Sequence, residues 1–539
     1  MIALVGVLAS CGGGTTTTSG APAGETTTTA AESDLAPEQV LTYNISSEPP
    51  SLDPDLATDT SSMKIINSIF EGLVYLNADG SVSPGAAETW DVSADGLDYT
   101  FNLRGTDKWT NGDTVTSADF KASWLRMLDP ATAADYAYQL YFIKGAEDYN
   151  AGKGTADAVA IDATDPKVLK VTLKAPTPWF VQMMALNMFF PIPSKTVEQF
   201  GEKWTEPANI VTNGAYKLTA WTHDSDVTIE KWADWRDAAN VTLTSVKFVM
   251  INEDTTAVAA FENGELDIQP GLPVADMDRL KTLPEYIVFP MLGTYMMGFN
   301  VESKPLDNVD VRKALALAID RQSIVDNVTK AGQIPALGLI PEGMPGFDVI
   351  KKDFLKPTAQ VDQAKQLLAT AGYPDGKGLP EIVIYYNTNE GHQAVAEAIQ
   401  EQWKAIGVTA TLKNMEWKQY LEFIQNDPSV MVYRYGWVAD FADAYNFFDV
   451  LRGGGGNNNT RWANETYDAS FDKALNAASE EERFKIYSDM EDILSVQDMP
   501  VAPVYWYTNP DLVKTYVMDY EPNALGETTY WKDVKIQKH

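Results

Sequence analysis

The chain has 539 residues, and its 41 Lys and Arg against 75 Asp and Glu give a formal charge of −34. That charge makes nucleic acid a poor partner, because a phosphate backbone is repelled; the single cysteine allows neither an internal disulfide nor a thiolate zinc cluster, and His223, His392 and His539 are too scattered for a catalytic metal site. With 45% hydrophobic residues, including 14 Trp, 24 Tyr and 20 Phe, there is material for two or three cored domains at ~150 residues each.

The N-terminus carries an apolar run, Ile2–Leu8, then Ala9, Ser10 and Cys11, followed by three glycines and a threonine tract. Signal peptides end in an apolar stretch and small residues. The arrangement resembles the lipobox of bacterial lipoproteins. That likeness implies a signal peptide over 1–10, lipidation of Cys11, and a body held at the outer face of a membrane. No Lys or Arg precedes the run, and a lone cysteine taken by itself is more often a small buried hydrophobe. The run cannot span a bilayer, which needs ~20 apolar residues. Residues 12–38 contain almost nothing bulky and are predicted to be a disordered tether with a reach of ~30 Å. Folded sequence is predicted to start near Leu41, with no further linker between autonomous domains.

Strand and helix signals then alternate. Tyr99–Leu103 and Val168–Leu173 alternate apolar and polar residues, as half-buried strands do, and short strands follow within Val241–Ile251. Val311–Asp320 places Val311, Leu315, Ala318 and Ile319 on one helical face, with Asp310 as its N-cap. Val361–Ala371 stripes Ala364, Leu367, Leu368 and Ala371, with Gly372 as C-cap and Pro374 as stop. Val430–Val438 is a strand dense in β-branched and aromatic residues. Gly453–Asn459 (GGGGNNN) reads as one flexible loop with no function of its own. The alternation points to an α/β or α+β fold with more than one sheet.

Residues 87–120, AETWDVSADGLDYTFNLRGTDKWTNGDTVTSADF, resemble the signature block of the family 5 solute-binding proteins of ABC importers. The anchors are Trp90, Ser93, Asp95–Gly96, Tyr99–Phe101, Leu103–Arg104, Lys108–Trp109, Gly112, Thr116 and Asp119–Phe120. Residues 51–54 (SLDP), 207–218 (PANIVTNGAYKL) and 299–321 agree in order, and the likeness runs from about residue 41 to the C-terminus. YGWVADF at 435–441 and PVYWYTNPDLVK at 503–514 look closest to the oligopeptide-binding members.

The resemblance implies an α/β, two-lobed fold with hinge strands and an additional third domain. One lobe would be assembled from 41–70, 195–292 and 509–539, the opposing lobe from 293–508, and the extra domain from 71–194. It implies short peptides as ligands, permease subunits as partners, a monomer, no cofactor and no catalysis. A receptor indifferent to side chains must grip what all peptides share, and an extended strand satisfies a peptide backbone by strand addition. Val430–Val438, with Gly436, Trp437 and Val438, is suited to that role, since glycine permits close approach of another chain. The match G-W-x-A-D-F assigns the ligand's α-amine to Asp440; a turn or cap aspartate is the plainer alternative, and Asp443 is the better cap. The resemblance assigns the ligand's carboxylate to Arg434 and His392, a side-chain pocket to Trp417, and a second lining segment to Ala57, Thr58 and Asp59. The same fold could instead carry a nickel chelate, haem, an opine, a sugar or a signalling peptide. An extracellular hydrolase using Glu71, Asp440 and Asp443 as acid and base is the remote alternative, because neither G-x-S-x-G nor H-E-x-x-H occurs.

Overall fold

In a computed structural model, residues 34–78, 80–525 and 529–539 are described. Cys11, the expected signal segment 1–10 and most of the expected tether lie outside them. Ordered pairing begins before Leu41: Leu35 bridges Gln537, and the Ala36 amide donates to the Ile536 carbonyl at 2.9 Å. The partner that orders this stretch comes from the far end of the chain, so local composition could not announce it.

Two large sheets organise the molecule. The first has seven strands, in the spatial order Tyr286–Phe289, Asn509–Val513, Ile268–Pro270, Val40–Asn44, Ser245–Val249, Asp226–Lys231 and Tyr216–Thr222. Val40–Asn44 lies parallel to Ser245–Val249, with Tyr43 opposite Phe248. The second has six strands, in the order Ile334–Pro335, Val501–Trp506, Gly293–Phe299, Val432–Val438, Ile382–Asn387 and Ala410–Met415. The chain passes between the two sheets twice, after Phe289 and after Trp506, and these crossings join the lobes. Such an arrangement buries the long apolar strand Gly293–Phe299 completely, at the centre of the second lobe.

A third unit is a four-stranded antiparallel sheet, in the order Ala87–Val92, Asp98–Leu103, Val168–Thr172 and Ile161–Asp165. The helix Ser117–Leu128 packs with it, its Phe120, Trp124 and Met127 fully buried. Arg126 on this helix reaches Asp53 at 2.7 Å and Asp55 at 2.6 Å, tying the unit to the first lobe. Both aspartates stand in and just after the SLDP motif. Burial and the neighbouring Asp53 charge push the Asp55 carboxyl up to about 7, against the opposing pull of Arg126.

Local expectations are met with shifts at the ends. The helix at Val309–Leu317 is capped by Asn308, whose side chain accepts from the Asp310 amide, so Asp310 is not the cap. Asn308 is extended while Asp310 is already helical, and capping requires the former. The helix Val361–Thr370 has Ala371 as its C-cap rather than Gly372, which follows it at φ +94°, a left-handed position that a Cβ would disfavour. Residues 453–459 are not the free loop expected. The Asn458 amide donates to the carbonyls of Leu451, Arg452 and Trp462 at 2.8–3.1 Å, and the Tyr435 hydroxyl donates to the Asn457 carbonyl at 2.7 Å. Among the described residues no helix is long and apolar enough to cross a membrane.

Candidate ligand-binding site

The strand Val432–Val438 is half of the site. Tyr433, Tyr435 and Trp437 are buried on one face, which leaves Arg434, Gly436 and Val438 on the other. One edge pairs along its whole length with Gly293–Phe299. The other edge pairs with Ile382–Asn387 only at Val432 and Tyr433. The Met431 carbonyl accepts from Asn300 and the Ala439 amide donates to Leu292, so odd-numbered residues bond toward the paired edge. By the alternation of an antiparallel ladder, Gly436 and Val438 direct their amides and carbonyls to the open edge. The Arg434 carbonyl on that side accepts from the Tyr420 hydroxyl.

A cavity of about 210 Å³ lies along this edge, between the lobes. Of the residues predicted from sequence, Thr58, Asp59, Trp417, Arg434, Gly436, Trp437, Val438 and Asp440 line it. Ala57 does not: it is buried, and its carbonyl accepts from the Asn187 amide at 3.3 Å. His392 lines an adjoining cavity of about 260 Å³, which shares Thr60, Trp417 and Arg434 with the first. Glu71 lines neither; it is held by Arg236 and by the Tyr75 hydroxyl.

Asp440 is 3% exposed. Its Oδ2 accepts from the Asn446 amide at 2.9 Å and from the Gln139 amide at 3.3 Å, while its own amide donates to Asn446 Oδ1. Both side-chain partners are neutral. Burial pushes the carboxyl up to about 7, with the Asn446 hydrogen bond pulling the other way. Asp443, by contrast, is paired with Arg483 at 3.2 Å and accepts from the Tyr445 amide and the Tyr487 hydroxyl. It stands one residue before Ala444, the N-cap of the short helix Tyr445–Asp449, so it is not the cap expected, although its carboxylate is fully engaged.

Arg434 has no carboxylate partner among the described ion pairs. One Nη donates to the Tyr507 hydroxyl at 2.9 Å, the guanidinium lies 5.2 Å from the Tyr295 ring centre, and Nε has no acceptor. Tyr507 sits on one of the crossings between lobes. Its hydroxyl fills the space over Gly436, where a Cβ would come within 2.4 Å of it. So the glycine admits the Tyr507 side chain. His392 is held well below its usual range by burial and then by the Arg434 charge, so it offers a neutral N–H. Asp59 caps the helix Thr60–Ile69, accepting from the Ser62 amide at 3.0 Å and the Ser62 hydroxyl at 2.6 Å.

Several lining residues escaped the sequence reading. Tyr136 comes from the third unit, Met291 and Tyr507 from the crossings, Asn457 and Asn459 from the Gly/Asn loop, and Tyr420 from the helix bearing Trp417. A periodicity signal existed for Tyr420 alone, three residues after Trp417 and stacked on it at 6.1 Å. The others meet only through tertiary contacts.

The model of the bacterial extracellular solute-binding proteins, family 5, matches residues 81–459. The chain belongs to that family. As a family 5 solute-binding protein it is a receptor, not an enzyme. It is 40% identical over 501 residues to the oligopeptide-binding protein OppA of Bacillus subtilis, covering 90% of each chain. Its fold matches that of OppA of Haemophilus influenzae, solved in complex with RPPGFSPFR, with a TM-score of 0.89 and 34% identity over 94% of this chain and 100% of that one. Against the murein tripeptide-binding protein MppA of Escherichia coli the TM-score is 0.90 at 34% identity, with the same coverage. For the unliganded open form of MppA it falls to 0.64, over 94% and 99%. The two lobes of this family 5 protein therefore stand in an arrangement unlike that open form.

Proposed function

We propose that this protein captures short peptides between its lobes, by their backbone and termini, and delivers them to the permease of an ABC importer. The observation that carries this reading is Asp440, a buried carboxylate with only neutral partners at one end of an open strand edge. An ammonium brings the missing charge, and a strand edge offers alternating donors and acceptors to any peptide. Arg434, free of carboxylate partners, is suited to the ligand's carboxylate through parallel hydrogen bonds, with neutral His392 as an added donor. Thr58, Asp59, Trp417, Gly436, Trp437 and Val438 then line the path. Binding of oligopeptides by the relatives named above supports the same reading.

In this proposal residues 41–70, 195–292 and 509–539 make one lobe, 293–508 the other, and 71–194 the third domain. The sheet membership of the strands supports the division. The protein acts as a monomer outside the cytoplasm, anchored through a lipid on Cys11 after removal of residues 1–10.

The decisive measurement is calorimetric titration of tri- and tetra-alanine into the purified protein and into Asp440→Ala. Loss of one member of a buried charge pair costs about 2–5 kcal/mol, so at least ~30-fold weaker binding is expected with a native melting profile. Unchanged affinity would overturn the amine assignment; a ligand other than a peptide co-purifying in mass spectrometry would overturn the cargo. Labelling with radioactive palmitate in the native host should mark the protein and fail to mark Cys11→Ser.

A further inference from the structure

The adjoining cavity of about 260 Å³ has a chemistry of its own. Asp254, from the first lobe, and Asn387 and Asn389, from the second, line it together. Asp254 is 3% exposed, and its hydrogen-bond partner among the described residues is the Asn389 amide, at 3.2 and 3.4 Å. The charged groups that act on it are Glu390 and Glu253, both acidic. Asn387 is 9% exposed, and its Oδ1 has no donor. A buried carboxylate without a cation and a buried carbonyl without a donor both cost free energy until a donor arrives. A group that donates only and carries positive charge, an ammonium or a guanidinium, satisfies both. Lys64 and Arg434 line the same cavity, so it is bipolar, with a cationic part suited to a ligand's carboxylate and an acceptor part suited to a cation.

We propose that this cavity is a subsite for a basic side chain of the bound peptide, with Asp254 as its counter-charge and Asn387 as a second acceptor. The assignment rests on the peptide reading above and deepens it. Because Asp254 and the two asparagines belong to opposite lobes, a cation held between them also favours the closed arrangement over the open one.

The test uses tetra-alanine, four variants with lysine at each position in turn, and four with norleucine, a side chain of similar length without charge. Dissociation constants are measured calorimetrically on the full chain. At one position lysine should bind at least ~10-fold tighter than norleucine, and in Asp254→Asn, checked by its melting curve, that ratio should fall to near one. Asn387→Leu should reduce the ratio while leaving Asp254 in place. A measurement on the native protein needs no variant. Burial, Glu390 and Glu253 push the Asp254 carboxyl up to about 7, so the ratio should shrink between pH 8 and pH 5.5 as Asp254 gains a proton. Titration of Asp440 affects both peptides of a pair alike and leaves the ratio unmoved. Arg434 is held charged throughout, and His392, which lines the same cavity, is kept neutral by burial and by the Arg434 charge. No position preferring lysine, or a preference that survives in Asp254→Asn, would overturn the subsite. Failure of every peptide to bind would overturn the peptide reading itself, a different outcome from binding without preference.

Discussion

At the scale of single residues, Asp440 makes binding depend on pH in a way whose sign can be worked out. With its carboxyl up at about 7 in the ligand-free protein, it must lose a proton before pairing with an ammonium. Affinity for tri-alanine should therefore fall as pH drops below 7. It should fall again above about 8, where the peptide's own amine loses its proton. Binding at pH 6 should release a proton, read as a dependence of the measured heat on the ionisation enthalpy of the buffer. In Asp440→Asn that release should disappear. Trp437 shows how tightly the site is held: its indole donates to Asn446 Oδ1 at 2.8 Å, and the same oxygen accepts from the Asp440 amide. The acid is thus fixed through its backbone as well as its carboxylate.

At the scale of elements, the helix Ser117–Leu128 is attached to the first lobe by Arg126 bridging Asp53 and Asp55. The two carboxylates are buried, while Arg126 is about a quarter exposed. Arg126→Ala leaves both acids without their cation, and breaking such a pair costs about 3–5 kcal/mol. The deficit, measured by urea unfolding, should be largest near pH 8 and smaller at pH 5.5. The sign follows from burial: the Asp55 carboxyl already sits near 7 with the arginine in place, and a proton substitutes for the missing charge. The strand Val432–Val438 makes the complementary point. Its alternation was plain in the sequence, but which edge stays open depends on where Ile382–Asn387 diverges from it.

At the scale of the whole molecule, two crossings link the lobes, and Tyr507 on one of them touches both Arg434 and Gly436. In the proposed reading, a ligand on Arg434 or Gly436 would therefore act on the crossing through one side chain. The arrangement of lobes matches one MppA structure at a TM-score of 0.90 and its unliganded open form at 0.64. A ligand shifts such an equilibrium only by its differential affinity for the two forms. Small-angle scattering of ligand-stripped protein should accordingly give a larger radius of gyration, falling when peptide is added. An unchanged radius would mean that the lobes do not open.

The sequence by itself determined the family, through the spaced anchors of residues 87–120, and with it the two-lobed α/β class. It also set the polarity of the key strand, because strand alternation and helical stripes are short-range patterns that side-chain chemistry enforces locally. It marked Asp440 through the contiguous motif of residues 435–441, and Arg434 through the resemblance and its place two residues before Gly436. Only the tertiary structure decided what surrounds them: Asn446 and Gln139 on the acid, Tyr507 over Gly436, the pinned Asn457–Asn459 turn, and Asp254 and Asn387 lining one cavity. It also corrected local readings, moving a cap to Asn308, taking Ala57 out of the cavity, holding the 453–459 loop by hydrogen bonds and pairing residues 34–36 with the C-terminus. The cap is settled by the extended backbone of Asn308. The other cases share one physical reason: exposure and partners are chosen by packing against residues far away in the chain, as Ala57 is against Asn187, and local periodicity carries no information on that packing.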